Sequence, residues 1–417
     1  MDFFSTLLLV GLVGALLAYI NWRGKKGIRL PPGPAPLPLL GNLLQVDKQA
    51  PFKTFLERIV VLVGHDTVKE ALLDRAEDFT DRAPIPFLHK VVKGYVSNVI
   101  CALVFGRRFD YKDDNFLRLL ETISALIRFG SSPWGQLYNA FPWLMERLPG
   151  SHHDVYASVE KIREFIREKI EKHQETLSSD CPRDYIDCFL IRLNKEKDLP
   201  TTEFTYDNMV ATVLNLFFAG TETTSTTIRF ALTLLIKYPH IQVIGRERCP
   251  NMEDRKSLPF TDAVIHEVQR VLDIVPLSLP RYATKNISFK GYTIPKVLTS
   301  DTLPLTSDHQ DTVIIPLLHS VLRDDKQWKS PWSFNPDHFL DQNDNFKKSP
   351  AFMVFSAGKR SCVGESLARM ELFLFLVTLL QHFTFTCPGG PDSLDISPEL
   401  SSFANLPRKY QLIATPR

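Results

Sequence analysis

Apolar residues recur at helical spacing along much of this chain. The longest such run extends from Asn208 to Tyr238, where apolar side chains three and four positions apart predict a buried central helix. Its apolar positions include Val210, Val213, Leu214, Phe217 and Phe218. Two further segments, Glu160 to Glu175 and Glu365 to Phe383, combine an apolar face with charged positions and predict amphipathic helices.

Strand patterns are short by comparison. They fall around Ile287 to Ile294 and near the C-terminus. The fold class predicted from these patterns is mainly α-helical with small β-sheets.

The N-terminus carries the only targeting signal in the sequence. The uncharged apolar stretch from Phe3 to Ile20 is long enough to span a bilayer, and Arg23, Lys25 and Lys26 follow it as a basic cytoplasmic flank. The alternative is a cleaved signal peptide, but such a peptide should begin with basic residues. The sequence therefore predicts an N-terminal transmembrane anchor over residues 1–20.

A proline-rich segment follows the anchor. Residues 21–38 contain Pro31-Pro32-Gly33-Pro34 and two further prolines, and such a run is stiff and extended. We interpret it as a hinge between the membrane and a catalytic domain over residues 39–417.

Composition narrows the possible functions. The chain has 417 residues, of which 44% are hydrophobic, and its 49 basic residues nearly balance 47 acidic ones. These values fit a large globular domain with a sizeable core and suggest no nucleic-acid partner. The six cysteines show no zinc-ligand spacing. The sequence has no P-loop and no GxGxxG, so the chain is not expected to bind NADPH through a Rossmann unit, and any electrons must come from elsewhere.

One cysteine stands in a segment with a distinctive composition, FSAGKRSCVG, from Phe355 to Gly364. Because Cys362 precedes a predicted helix, the helix dipole and backbone N–H groups are expected to lower its pKa and stabilise a thiolate. Gly358 and Gly364 allow the backbone to approach a flat cofactor, Arg360 offers a guanidinium to a carboxylate, and Phe355 can keep water from the sulfur. A lone cysteine is more often a buried apolar residue, but five positions of fixed identity at fixed spacing favour a metal ligand.

The central helix contains AGTETT, from Ala219 to Thr224. Gly220 and the threonines are poor helix formers, so a functional reason for them is expected. Gly220 leaves room for a ligand, and Thr223 beside Glu222 provides a hydroxyl and a carboxyl able to relay protons. The alternative is a threonine-rich core helix whose hydroxyls bond to its own backbone.

A third motif lies in HEVQR. Glu267 and Arg270 are three positions apart and share one helix face, where they can pair. Taken alone, such a pair is most simply an exposed surface ion pair.

These motifs, in this order, resemble those of the cytochrome P-450 haem-thiolate monooxygenases. The resemblance implies the cytochrome P-450 fold and haem b, with Cys362 as the axial iron ligand. It further implies that Glu267 and Arg270 form a buried structural trio with His338 of Pro336-Asp337-His338-Phe339. The other residues implied at the cofactor are Phe355, Gly358, Arg360, Gly364, Arg281, Ala219 and Gly220, with Thr223 and Glu222 in catalysis.

The anchor and proline hinge resemble the microsomal branch of the family, specifically the vertebrate family two, and segments such as RAPIPF and YIDCFL are similar to fish members. This resemblance implies insertion of one oxygen atom of O₂ into a lipophilic substrate, a fatty acid or a xenobiotic. NADPH-cytochrome reductase is the implied electron donor and cytochrome b5 a second candidate. The implied location is the endoplasmic reticulum membrane, with the catalytic domain on the cytoplasmic side. Candidate pocket residues are Phe218, Ala219, Thr223, Val275, Leu277 and Leu406.

The chain also departs from the family. It is roughly 80 residues short, with blocks missing near 59/60, 95/96 and 242/243 and an insertion at about 297–311. The second gap removes the helix whose Trp-x-x-x-Arg binds a haem propionate. Trp143 and Arg147 share that spacing but lie downstream, so we interpret them as a coincidence. An inactive, incomplete family member that does not bind haem is therefore the alternative function.

Overall fold

A computed structural model describes residues 59–74, 81–82, 98–110, 113–242, 250–296, 313–401, 404–408 and 410–417. The predicted anchor (1–20), the hinge (21–38), the 95/96 junction and the insertion at 297–311 lie outside these residues.

Helices dominate the described residues. They are α1 (His65–Lys69), α2 (Asn98–Phe105), α3 (Asp114–Ser131), α4 (Pro133–Ala140), α5 (Pro142–Met145), α6 (Ser151–Glu175), α7 (Tyr185–Glu196), α8 (Tyr206–Lys237), α9 (Pro259–Leu272), α10 (Leu318–Leu322) and α11 (Glu365–His382). The strands are β1 (Ile59–Leu62), β2 (Asp81–Arg82), β3 (Arg281–Tyr282), β4 (Ile287–Phe289), β5 (Tyr292–Ile294), β6 (Val313–Pro316), β7 (Phe383–Thr386), β8 (Pro398–Ser401), β9 (Asn405–Pro407) and β10 (Ile413–Pro416).

The chain divides into two compact units. The smaller comprises Met1–Ala83 and Leu279–Leu317. Its four-stranded sheet has the order β1-β6-β3-β2, in which β1 and β6 are parallel and the other pairs antiparallel. The β4–β5 hairpin turns through Lys290 and Gly291, both at positive φ, as a two-residue type I′ turn requires.

The larger unit, Pro84–Ser278 with Leu318–Arg417, is mainly helical. The long helix α8 contributes to both of its apolar clusters: the first half packs with α2, α3, α6 and α7, and the second half with α9, α11 and β7. Thr205 caps α8 by accepting from the Asn208 backbone N–H at 3.2 Å, and Pro239 follows its last turn. This helix therefore lies at the centre of the larger unit.

The fold class predicted from the sequence is confirmed: the described chain is mainly helical with small sheets. The central helix, the helix after the cysteine segment and the strands around Ile287 to Ile294 all form as predicted, and α6 begins earlier than its predicted segment. Within the described ranges, no helix is both long enough and apolar enough to cross a membrane.

Candidate active site

Cys362 lies in a short loop between a 3₁₀ turn, Gly358–Arg360, and the start of α11. Its backbone N–H donates to the carbonyl of Phe355 at 2.9 Å, which closes the loop. Gly358 has a φ of 73°, a left-handed conformation that favours glycine. Cys362 is exposed and its neighbour Val363 is 93% exposed, so the loop presents its cysteine outwards beside an apolar side chain.

The expectation that the helix start lowers the pKa of Cys362 is wrong for the free thiol. Although the residue as a whole is exposed, partial burial of its thiol raises the pKa of Cys362. The Gly364 backbone N–H lowers this pKa, and the Glu365 carboxylate raises it further. The N–H group expected at the helix start is therefore present, but desolvation outweighs it. A bound metal cation would supply the charge needed to deprotonate the thiol.

The other residues of the cysteine segment surround this loop. Arg360 is exposed on the 3₁₀ turn. A Cβ at Gly364 would meet the Cys362 Sγ at 3.8 Å, an ordinary contact, so space at the sulfur does not by itself require this glycine. The ring of Phe355 lies 5.2 Å from the guanidinium carbon of Arg369 on α11, a contact that the sequence did not predict.

Two threonines of the α8 motif, Thr221 and Thr223, donate to backbone carbonyls of the helix itself. Thr223 donates to the Ala219 carbonyl at 2.7 Å, and Glu222 accepts from Thr226 at 3.4 Å. Ala219 is exposed, whereas Glu222 and Thr223 are half-buried. The two predicted catalytic residues are therefore neighbours that bond to different partners.

Gly220 faces α2 at close range. A Cβ at Gly220 would lie 2.6 Å from Cδ1 of Ile100, which is far inside contact distance. The space that the missing side chain leaves at this point of α8 is thus filled by Ile100.

A buried carboxyl behind this motif was not foreseen. Glu371 on α11 is 5% exposed, and burial raises its pKa while a hydrogen bond from Thr224 lowers it. Desolvation outweighs the hydrogen bond, so the carboxyl favours its neutral form more than an exposed glutamate would. A lone acid inside the apolar run MELFLFL was the available sequence signal.

The predicted trio is present and buried. Arg270 donates from Nε and Nη2 to both carboxylate oxygens of Glu267 at 2.7 Å, and His338 Nδ1 lies 3.2 Å from Oε1. Glu267 and Arg270 are each 0% exposed. The interpretation of this pair as a surface ion pair is therefore excluded.

The remaining predicted residues differ in their burial. Arg281 is buried on β3 in the smaller unit. Trp143 is 62% exposed, and Arg147 donates to the carbonyl of Trp143 itself, an arrangement in keeping with a coincidental spacing. Of the candidate pocket residues, Phe218 and Leu406 are buried, Ala219 is exposed, and Thr223, Val275 and Leu277 are half-buried.

The donor chemistry at Cys362 fits an iron porphyrin, because one free cysteine on an exposed loop supplies a single ligand and leaves the other coordination positions to a planar cofactor. Another cluster in the described chain could hold a metal ion, namely His173, Asp184 and Asp187. There Arg183 already binds Asp187 through Nε at 2.6 Å and Nη2 at 2.8 Å. That cluster is therefore satisfied as an ion-pair network.

Comparison with known proteins gives the family. A family model described as "Cytochrome P450" matches residues 87–414. "Cytochrome P450 2C20" of Macaca fascicularis is 40% identical over 505 aligned residues, which cover 100% of both chains. "Cytochrome P450 2B4" of Oryctolagus cuniculus is 38% identical over 500, covering 99% of both, and "Cytochrome P450 2F3" of Capra hircus is 38% identical over 505, covering 100% of both.

These relatives all carry the family number two and come from vertebrates, as the sequence motifs predicted. Members of the family are oxidoreductases that use haem b, so the predicted cofactor and reaction class are confirmed. The chain therefore belongs to the cytochrome P450 family of haem-dependent monooxygenases, among relatives of the vertebrate family two.

Proposed function

We propose that this chain is a membrane-bound monooxygenase that inserts one oxygen atom of O₂ into a lipophilic substrate, a fatty acid or a xenobiotic. NADPH-cytochrome reductase is the proposed electron donor, with cytochrome b5 as a second candidate, and the endoplasmic reticulum membrane is the proposed location. The single observation that carries the proposal is the free, exposed residue Cys362, in a loop closed by the Phe355 carbonyl.

Cys362 is the proposed iron ligand, and its own loop supplies the surroundings. Phe355 packs at the start of the loop, and Gly358 and Gly364 place little side-chain bulk beside the sulfur. Arg360, and Arg281 by resemblance, are proposed partners of the haem carboxylates. When bound, thiolate-ligated haem supplies the electron density that favours O–O cleavage.

Proton delivery is assigned to the threonine motif of α8. Thr223 can accept a hydrogen bond while it donates to the Ala219 carbonyl, and Glu222 on the same turn provides a carboxyl. Ala219 forms the adjoining exposed helix surface, and Gly220 beside it lies against Ile100. Behind it, the buried Glu371 is joined to the motif through Thr224 and is a further proton reservoir.

The proposed substrate class follows from the candidate pocket residues. Phe218, Val275, Leu277 and Leu406 offer apolar surface, and Thr223 is the polar group among them. Such a lining gains free energy from burying hydrocarbon and provides few hydrogen bonds that could select a polar substrate. The proposed anchor at residues 1–20 would hold the enzyme where lipophilic substrates concentrate.

The assignment of Cys362 is tested by the spectrum of the reduced, carbon monoxide-bound chain. The Cys362→Ala variant should lose the red-shifted Soret band of thiolate-ligated haem, because Cys362 is the cysteine of the FSAGKRSCVG segment. Cys188→Ala is the matched control, since Cys188 is also exposed and free, and it should keep the band. Retention of the band by Cys362→Ala would contradict the assignment.

A further inference from the structure

A chain of polar side chains connects the cysteine loop to the buried face of α9. Its centre is Arg369 on α11, whose side chain is 13% exposed. Arg369 donates from Nε to Glu365 Oε1 at 2.9 Å, and its guanidinium lies over the rings of Phe355 at 5.2 Å and Phe352 at 5.6 Å. One arginine thus contacts both ends of the segment that contains Cys362.

His266 on α9 forms a hydrogen bond with the same guanidinium. Arg369 Nη1 lies 2.5 Å from His266 Nε2, and His266 Nδ1 lies 2.7 Å from the Asp262 carbonyl. Since an arginine only donates, Nε2 must accept, and the proton of the imidazole is on Nδ1. Burial lowers the pKa of His266, which keeps this neutral tautomer stable.

The aromatic packing around His266 fixes the position of Arg369. The imidazole contacts Phe339, Phe346 and Phe352 at centroid distances of 5.3, 4.6 and 4.8 Å. A guanidinium held by a carboxylate, an imidazole and two aromatic faces has little freedom to move. Its charge is therefore fixed beside the start of α11.

We propose that Arg369 is a positioning residue for the cysteine ligand: it neutralises the Glu365 carboxylate beside Cys362 and holds the Phe355 end of the loop. This inference rests on the proposed role of Cys362 as iron ligand. Without Arg369, Glu365 would keep its longer ion pair to Lys348 at 3.8 Å but lose its closer counter-charge. Its negative charge would then act more strongly on the thiolate, and the ferric state would gain stability relative to the ferrous state. Arg369 thus sets how readily the bound iron is reduced.

The test is the reduction potential of the purified, haem-loaded chain, measured by spectroelectrochemistry without reductase or substrate. Arg369→Gln should shift the ferric-to-ferrous equilibrium about tenfold towards ferric, a fall of about 59 mV for a one-electron couple. Glu365→Gln should shift it in the opposite direction, and the double variant should return close to the parent. Arg255→Gln is the matched control, because Arg255 binds Asp262 at the far end of the chain of contacts and should leave the potential unchanged.

The outcomes separate charge from mere structural support. A double variant whose reduction potential kept the full shift of Arg369→Gln would overturn the proposal. An unchanged reduction potential in Arg369→Gln, accompanied by weakened reductase binding, would also overturn it. If Arg369→Gln fails to retain haem, the reduction potential of Glu365→Gln tests the proposal instead. An unaltered potential in Glu365→Gln would then overturn the proposal. A parent without the red-shifted carbon monoxide band would overturn the assignment of Cys362 and this inference with it, whereas a parent with the band and flat potentials would overturn only the role of Arg369.

Discussion

At the scale of single residues, the buried charges of Glu267 and Arg270 are accompanied by an extensive set of hydrogen bonds. Besides its two hydrogen bonds to Glu267, Arg270 donates to the backbone carbonyls of Leu322, Pro331 and Ser333. Glu267 accepts in addition from the Asn335 backbone N–H at 2.8 Å. Burying both charges is costly, so the group is stable only while every partner is present.

Removing one partner of this pair should be severely destabilising. We expect Glu267→Ala to lower the free energy of unfolding by about 3–5 kcal/mol, because Arg270 would remain buried without its counter-charge. Glu168→Ala is the control: Glu168 pairs with Lys172 at the same kind of spacing, but both side chains are more than half exposed, and the expected loss is about 0–1 kcal/mol. Denaturant unfolding of the purified chains measures both values, and similar losses in the two variants would contradict this account.

At the scale of elements, the contact between α8 and α2 depends on a missing side chain. The Cδ1 and Cγ1 atoms of Ile100 lie where a Cβ of residue 220 would project. Glycine lowers the intrinsic stability of a helix, so its presence here is explained by this close packing.

Gly220→Ala should therefore destabilise the chain despite the better helix propensity of alanine. Forcing a methyl group against Ile100 is expected to cost about 1–3 kcal/mol in overpacking. In an Ile100→Val background, where the atom at 2.6 Å is absent, the same substitution should cost less. A double-mutant cycle of thermal unfolding gives the coupling, and strictly additive effects would show that the contact does not decide the cost.

The connection between α6 and α7 should depend on pH. His173 Nε2 lies 2.8 Å from Asp184 Oδ2, and this hydrogen bond is the main reason that the pKa of His173 is raised above its ordinary value of 6.5. The folded chain binds this proton more tightly than the unfolded chain. The stabilisation is therefore fully present below about pH 6.5 and is lost as pH rises through the folded-state pKa.

Unfolding measured from pH 6 to pH 9 should thus show stability that falls more steeply with rising pH in the parent than in His173→Gln. Asp184→Asn is a useful second variant, because asparagine can still cap α7 by accepting from the Asp187 backbone N–H. It should remove the same pH dependence. If stability fell with rising pH as steeply in both variants as in the parent, the His173–Asp184 pair would be excluded as the source of the pH dependence.

At the scale of the whole molecule, the length of the chain is the main departure from its relatives. The alignments run over 500 and 505 residues, more than the 417 residues of this chain, which supports the proposal that blocks of the family sequence are missing. The proposed 59/60 junction lies inside β1, which pairs along its whole length with β6. The sheet therefore forms across that junction.

Restoring the block proposed to be missing between Tyr95 and Val96 should strengthen haem binding. The block would return a charge-assisted hydrogen bond to a haem carboxylate, worth about 1.5–3 kcal/mol, together with apolar cover for the central helix. We would graft the corresponding segment of a full-length relative at this position and measure haem content and lauric acid hydroxylation with the reductase. Equal occupancy and turnover in both chains would contradict a damaging deletion, and would leave the carboxylates to Arg281, Arg360 or Arg147.

The sequence by itself determined the three predicted helices, the three motifs and their order, because periodic apolar positions and residue spacing are local properties that do not depend on the packing. It also predicted the trio of Glu267, Arg270 and His338, through resemblance. Only the tertiary structure decided that the pKa of Cys362 is raised rather than lowered. The partners of Arg369 and Glu371 were likewise decided only by the tertiary structure. Desolvation, and contacts between helices far apart in sequence, depend on which surfaces pack together. Tertiary packing of this kind cannot be inferred from a local sequence pattern.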